Sequence, residues 1–371
     1  MPPTWVTMAE AGLRLRSRAR GINRFDDPWK YFGPGGLEEA EAVCADANRD
    51  LASFVRPAEH PPAGLVTAEP IVHTPEFAIA EWRFDSPKPS GHPVNDRVQL
   101  RLLRDPRCRP DGRVVLFHHA VYQDSWRLWS WFLRDLIRCV PVAVLASPHH
   151  FARRTPESRW AGEWTVNPNP ARIYEAIRQW CWDHQAAVRV LREHAGLEVV
   201  ADVGFSLGAF QSVLLAAAGR LDGPIVSIAS TNRYAFGLEH GVLGRGVIEG
   251  MRRVGIDLPR LRRMTEALQL ERWAERIDGS RVMFVRGRHD PVDPPPSLDR
   301  LERSLAPARS LHIDAGHGTL LAARSTIVPA AITFLVERGT IPPEAATGHH
   351  HPRTRPHGRR IALPFGRRPR T

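Results

Sequence analysis

Lysine is almost missing from this chain. Of 51 basic residues only Lys30 and Lys88 are lysines, and the rest are arginines. That bias reads as genomic composition before function. Cysteine is scarce as well, and Cys44, Cys108, Cys139 and Cys181 lie far apart. No CxxC pair exists, which excludes a zinc ribbon or a thioredoxin-like motif and argues against a disulfide framework. Buried free thiols and a reducing, cytoplasmic setting are the matching expectations. No stretch approaches the roughly 18 consecutive apolar residues of a membrane-spanning helix, so no membrane span is expected. Residues 1–21 carry Arg14, Arg16, Arg18 and Arg20 but no apolar core, which does not read as a secretory signal.

What is present in ordinary amounts also decides something. At 43% hydrophobic and 25% charged residues, the chain has the composition of a globular protein. Its 371 residues fit one large α/β domain with an insertion and terminal extras. The net charge of +11 hints at nucleic acid until it is located. Arg353, Arg355, Arg359, Arg360, Arg367, Arg368 and Arg370 supply seven of those eleven charges, and residues 345–371 hold no acid. The excess is a property of the tail, which is expected to be disordered and to bind anions only nonspecifically. No aromatic platform accompanies it, so no specific nucleic-acid partner is expected. His349, His350, His351 and His357 in that tail read as composition, and no metal site is expected from them.

Hydrophobic periodicity organises the rest. A helical pattern covers Leu37–Phe54, after the breaker run Gly33–Gly36. Strand patterns cover Phe77–Phe84, Arg97–Leu103, Arg113–His118, Pro141–Ala146, Leu197–Gly204, Pro224–Ala229, Arg281–Arg286 and Ser310–Ile313. Helical patterns cover Ser125–Arg138, with Ser125 as its N-cap, then Asn169–His194, Leu207–Leu221 and Ser325–Arg338. Strand–helix alternation after an opening strand pair predicts a mostly parallel central sheet flanked by helices. Residues 232–277 read as a helical cap insertion between two strands. The domain boundaries expected are 1–74 for an N-terminal extension, 75–344 for the α/β domain and 345–371 for the tail.

One motif carries chemistry. Gly204-Phe205-Ser206-Leu207-Gly208 sits between a Val-rich strand and an amphipathic helix. A GxSxG turn in that context lifts the Ser hydroxyl clear of the sheet at a helix N-terminus. Serine needs a base and an orienting acid to become a nucleophile. Asp290 and His317 each follow a later strand, in Gly287-Arg288-His289-Asp290 and Gly316-His317. Catalysts of open parallel sheets sit at such strand ends. Taken alone, an Asp in a Gly-Pro loop is usually a turn former, and a lone His is usually structural. Order, spacing and strand-end context together weaken both bland readings.

On these residues the sequence resembles the α/β-hydrolase superfamily over roughly residues 75–340. The resemblance implies Ser206 as nucleophile, Asp290 as acid and His317 as base. It implies an oxyanion hole made by the Leu207 N–H and by the loop His118-His119-Ala120-Val121-Tyr122. Ala120 replaces the customary glycine there, which favours Val121 as the second donor, with Ala120 behind it. Asp293 could be the acid instead, but the spacing from Gly287 favours Asp290, and Asp293 fits better as a cap on the following helix. His119, Tyr122, His149 and His150 are candidates to line a substrate pocket, although His149 and His150 make an implausible metal pair. The tryptophans Trp126, Trp129, Trp131, Trp160, Trp164, Trp180 and Trp182 read first as packing.

The implied activity is hydrolysis of a carboxylic ester or related carbonyl through an acyl-enzyme, with a small-molecule substrate and no cofactor. An acyltransferase, a thioesterase, a C–C hydrolase or a peptidase would use the same triad, so the triad cannot choose among them. A noncatalytic α/β-hydrolase scaffold is the alternative from another class, and loss of a triad residue would be its mark.

Overall fold

The computed structural model describes residues 3–19, 22, 24–56, 64–74, 76–107, 111–241 and 244–347. Residues 348–371 of the basic tail, and Cys108, lie outside the described residues.

Among the described residues, nine strands form one sheet: β1 Thr67–His73, β2 Ala78–Asp85, β3 Arg97–Arg104, β4 Arg113–His118, β5 Val142–Leu145, β6 Glu198–Phe205, β7 Ile225–Ile228, β8 Val282–Gly287 and β9 Arg309–Ile313. Their spatial order is β1-β2-β3-β5-β4-β6-β7-β8-β9. The pairs β1–β2, β2–β3 and β3–β5 are antiparallel, and all others are parallel. The central strands are nearly continuous apolar runs because both of their faces are covered. Val114, Leu116, Val282 and Phe284 point into one core, while Val115, Phe117, Met283 and Val285 point into the other. This is the two-residue alternation of a strand.

The helices are α1 Thr4–Ala19, α2 Gly36–Arg49, α3 Leu51–Val55, α4 Pro93–Asp96, α5 Arg127–Phe132, α6 Arg134–Cys139, α7 Pro170–Ala195, α8 Leu207–Ala217, α9 Tyr234–His240, α10 Arg245–Arg253, α11 Leu258–Met264, α12 Pro295–Leu305, α13 Arg324–Glu337 and α14 Pro343–Thr347. Helices α7, α8 and α12 cover one face, and α5, α6 and α13 the other. Both ends of α7 were legible: the Asn169 side chain accepts from the Ala171 amide, and Gly196 takes a left-handed conformation at φ 63°.

Several expectations need correction. The helix expected over 125–138 is two short helices that meet at Leu133, and its N-cap is Trp126; Ser125 Oγ only accepts from the Arg127 amide. The helix expected over 37–54 is interrupted at Asp50, whose carboxylate starts α3 by accepting from the Ser53 amide. Residues 67–73 were not expected to be a strand. They form the exposed edge strand β1, where no apolar alternation is needed and Pro70 sits beside a bulge. The 1–74 segment therefore shares the sheet, and its Phe25, Tyr31, Cys44 and Leu51 belong to the same core as α7. Residues 345–347, expected to belong to the disordered tail, are helical, within Pro343–Thr347.

Residues 232–277 lie between β7 and β8 and hold α9, α10 and α11 with two 3-10 turns. Val247, Met251 and Leu261 from this insertion join the α7-side core. The segment Gly318–Glu337 is long and apolar enough to cross a membrane by length and composition, contrary to the sequence expectation. In the fold it is a 3-10 turn followed by α13, and one side of it, Leu320, Ile327, Val328, Ala331, Phe334 and Leu335, is buried in the core.

Candidate active site

Strand β4 has β5 on one side and β6 on the other, so the chain reverses its direction of winding at the β4–β6 pair. Crevices at such a reversal collect ligands at the carboxyl ends of the strands. His118 ends β4 directly beside Gly204 of β6, so the loop 119–122 and the 204–208 turn leave the sheet side by side. Ser206 sits in that turn at φ 56° and ψ −115°, a conformation that non-glycine residues rarely adopt. Its amide is held by the Ile228 carbonyl at 2.8 Å. Both glycines are required by close approach. A Cβ on Gly204 would lie 2.6 Å from the Ala209 backbone, and one on Gly208 would lie 2.1 Å from the His118 carbonyl oxygen.

Ser206 Oγ lies 2.7 Å from His317 Nε2, and His317 Nδ1 lies 2.7 Å from Asp290 Oδ2. All three residues are buried, with Ser206 at 6% and His317 at 8% exposure. The second oxygen of Asp290 accepts from the Val292 and Asp293 amides, which fixes the carboxylate plane. Burial alone would depress the His317 pKa. The charge and hydrogen bond of Asp290, joined by the charges of Glu10 and Asp293, outweigh it and raise the pKa above the usual 6.5.

Asp293 is buried too, but it does not meet His317 through any hydrogen bond described. Nor does it cap the next helix, whose N-cap is Pro294 without a side-chain bond. Asp293 Oδ2 accepts from the Asn232 amide instead, pinning the start of the 232–277 insertion to the acid loop. Burial, with the Asp290 charge in the same direction, pushes its pKa up to about 6.

The loop expected to complete an oxyanion site is held by its own histidine. The Ser147 amide donates to His119 Nε2, which leaves the proton on Nδ1, and Nδ1 donates to the Ala120 carbonyl at 2.7 Å. Burial keeps this imidazole neutral. Both ring nitrogens are used within the protein, so His119 braces the loop rather than offering a polar group to a substrate. His150 donates from Nδ1 to the Pro148 carbonyl, and its ring backs onto Gly162. His149 packs its ring near His92 and Trp164. Both are buried, and burial lowers both pKa values. Tyr122 is half-buried with φ 65°, and Val121 is half-buried beside it. Ala120 is buried.

Sequence reading missed two features next to this site. The first is a buried carboxylate under the loop. Asp202 Oδ1 accepts from His118 Nε2 at 2.6 Å and from His184 Nε2 at 3.1 Å. Its pKa is held down to about 2: burial pushes it up, but the two histidines together outweigh burial. An acid inside the run Val199-Val200-Ala201-Asp202-Val203 was the available signal. These three residues are the only cluster among the described residues whose ligand atoms converge as a metal would need. Both histidines, however, aim the same kind of nitrogen at one oxygen, the geometry of two hydrogen bonds to a carboxylate. The second feature is Glu10 of α1. Its Oε1 accepts from the Gly318 and Thr319 amides at 3.0 Å each and from Thr319 Oγ1 at 3.2 Å. No sequence signal joins residue 10 to residue 319.

No family description and no curated protein sequence matches this chain. Many solved structures align with this chain. An acetyl xylan esterase from Paenibacillus sp. R4 aligns with a TM-score of 0.56 at 14% identity, over 81% of this chain and 94% of that one. Acetyl xylan esterase 1 from Thermoanaerobacterium sp. JW/SL YS485 aligns with a TM-score of 0.50 at 14% identity, over 81% and 93%. The acylaminoacyl peptidase of Pyrococcus horikoshii aligns with a TM-score of 0.52 at 10% identity, over 71% of this chain and 42% of that one. With its mostly parallel sheet, helices on both faces and the Ser206 turn at the winding reversal, the chain has the α/β-hydrolase fold.

Proposed function

We propose that this protein is a serine hydrolase that cleaves a carboxylic ester through an acyl-enzyme. The observation that carries the reading is the continuous relay from Ser206 Oγ to His317 Nε2 and from His317 Nδ1 to Asp290 Oδ2, each link 2.7 Å. In this reading His317 takes the Ser206 proton as the oxygen attacks the substrate carbonyl. Asp290 keeps the remaining proton on Nδ1 and stabilises the imidazolium that forms. The Leu207 N–H, at the first position of α8, and the Val121 N–H, with Ala120 behind it, receive the oxyanion. His317 returns its proton to the leaving alcohol and then activates water against the acyl-enzyme. The chemistry draws on no cofactor.

Two of the fold neighbours named above are esterases of acetylated xylan and one is a peptidase, which supports acyl transfer as the reaction class and a small ester as the first substrate to try. The test is labelling with a fluorophosphonate, with the adduct mapped by mass spectrometry, then turnover of p-nitrophenyl esters of graded acyl length. Ser206 should carry the label, and Ser206→Ala should abolish both label and turnover. A label on another serine, or none on folded protein, refutes the assignment.

A further inference from the structure

We propose that the N-terminal helix α1 completes the active site, with Glu10 as a positioning residue for the His317 loop. The inference rests on the reading of Ser206 and His317 given above. Glu10 touches neither of them. Its carboxylate sits at the start of the 3-10 helix Gly318–Ala323, for which His317 is the N-cap. Three donors converge on one oxygen, the Gly318 and Thr319 amides and Thr319 Oγ1. These amides belong to the two residues that follow His317, so their anchor sets where the imidazole stands. Thr319 Oγ1 also accepts from the Gly316 amide, which ties the residue before His317 into the same cluster. The approach is close enough that a Cβ on Gly316 would lie 2.5 Å from Glu10 Oε1.

A helix docked only for packing would bury apolar side chains. Over Pro3–Gly12, α1 and its leading residue bury just Val6 and Glu10, one turn apart on one face, while Trp5 and Met8 are half or more exposed. Within that stretch one of the two buried side chains is thus an acid. Among the described residues no basic side chain pairs with it, and its charge is met by backbone N–H groups at a helix start. A second consequence is electrostatic. The charged groups acting on His317 are Asp290, Glu10 and Asp293, and each favours the protonated imidazole. Proton transfer from Ser206 creates that imidazolium, so a fixed negative charge behind the loop stabilises the state in which the reaction passes its barrier.

Three variants and the wild type test this. Glu10→Gln keeps an acceptor oxygen and removes the charge. Glu10→Ala removes both. Val6→Ala removes only packing from the same helix face. Each is measured for kcat and KM on one activated ester across pH, for melting temperature, and for fluorophosphonate labelling. Glu10→Gln should move the acidic limb of kcat/KM to lower pH, because His317 loses one of the charges that raise its pKa. Glu10→Ala should lower kcat about tenfold, the scale of a lost charge-assisted hydrogen bond, with KM unchanged. Val6→Ala should lower the melting temperature and leave the limb where it is. If Glu10→Ala fails to fold, the isosteric Glu10→Gln limb decides. An unmoved limb in Glu10→Gln, with wild-type protein labelled normally at Ser206, overturns the role of Glu10 alone. A wild type that takes no label overturns the nucleophile reading, and this inference with it.

Discussion

His118 Nε2 donates to Asp202 Oδ1 at 2.6 Å, and through it the root of the 119–122 loop is tied to the strand that carries Ser206. Asp202→Asn should therefore cost both stability and activity. Leaving two buried histidines without their anionic acceptor is worth about 3 kcal/mol or more. The native Asp202 pKa is held below its unfolded value, so its contribution is present above about pH 4 and is lost as pH falls toward about 2. Urea unfolding at pH 7 checks the first claim, and an unchanged midpoint would show the network to be idle. Acid titration of both proteins checks the second.

Asp290→Asn and Asp293→Asn should separate cleanly. Only Asp290 reaches the imidazole, so Asp290→Asn should lower kcat by about 10⁴ while the fold persists. Asp293→Asn should cost far less turnover, since its bond goes to the Asn232 amide and only its charge acts on His317. Kinetics of both variants on a single activated ester decide the matter, and the reverse ranking would sink the assignment.

Asp293 should also leave a mark on stability. Its folded pKa, near 6, lies above the unfolded value, so the native state holds the proton more tightly. Stability gained from that proton is fully present below about pH 4 and is lost as pH rises through about 6, a difference of order 3 kcal/mol. Asn cannot titrate, and Asp293→Asn should flatten the melting temperature between pH 4 and pH 7 relative to wild type. Parallel curves for the two proteins would contradict this.

Gly208→Ala should be far more damaging than a surface Gly→Ala exchange. The new methyl would meet the His118 carbonyl at 2.1 Å, and both partners are backbone, so neither can swing aside. A loss of about 3 kcal/mol or more is expected, against a gain of up to about 1 kcal/mol for Gly12→Ala, which lies inside α1 with nothing within 4 Å and where alanine is the better helix former. Chemical denaturation of the two variants makes the comparison.

The basic tail should be separable from the folded domain. A chain ending at Thr347 should keep the wild-type melting temperature and kcat/KM. One ending at Pro343 should melt lower, because it removes Ala345, which packs on the α13-side core. Equal loss in both truncations would place a working part of the protein beyond residue 347.

The sequence alone determined the central sheet. Strands β4 to β8 announce themselves because a strand covered on both faces must be apolar along its length, and the long α7 declares its ends through Asn169 and Gly196. The Ser206 turn was legible because backbone sterics leave room for nothing but glycine at 204 and 208. Only the tertiary structure decided the rest. The edge strand β1 satisfies no core and so carries no pattern. His119 looked like a pocket residue until the Ser147 amide and the Ala120 carbonyl claimed both its nitrogens. Asp293 looked like a helix cap until a segment 61 residues earlier in the chain supplied its donor. Glu10 reaches Gly318 and Thr319 across more than 300 residues. A hydrogen bond depends on where two groups end up in space, and local periodicity reports only which face of an element is apolar.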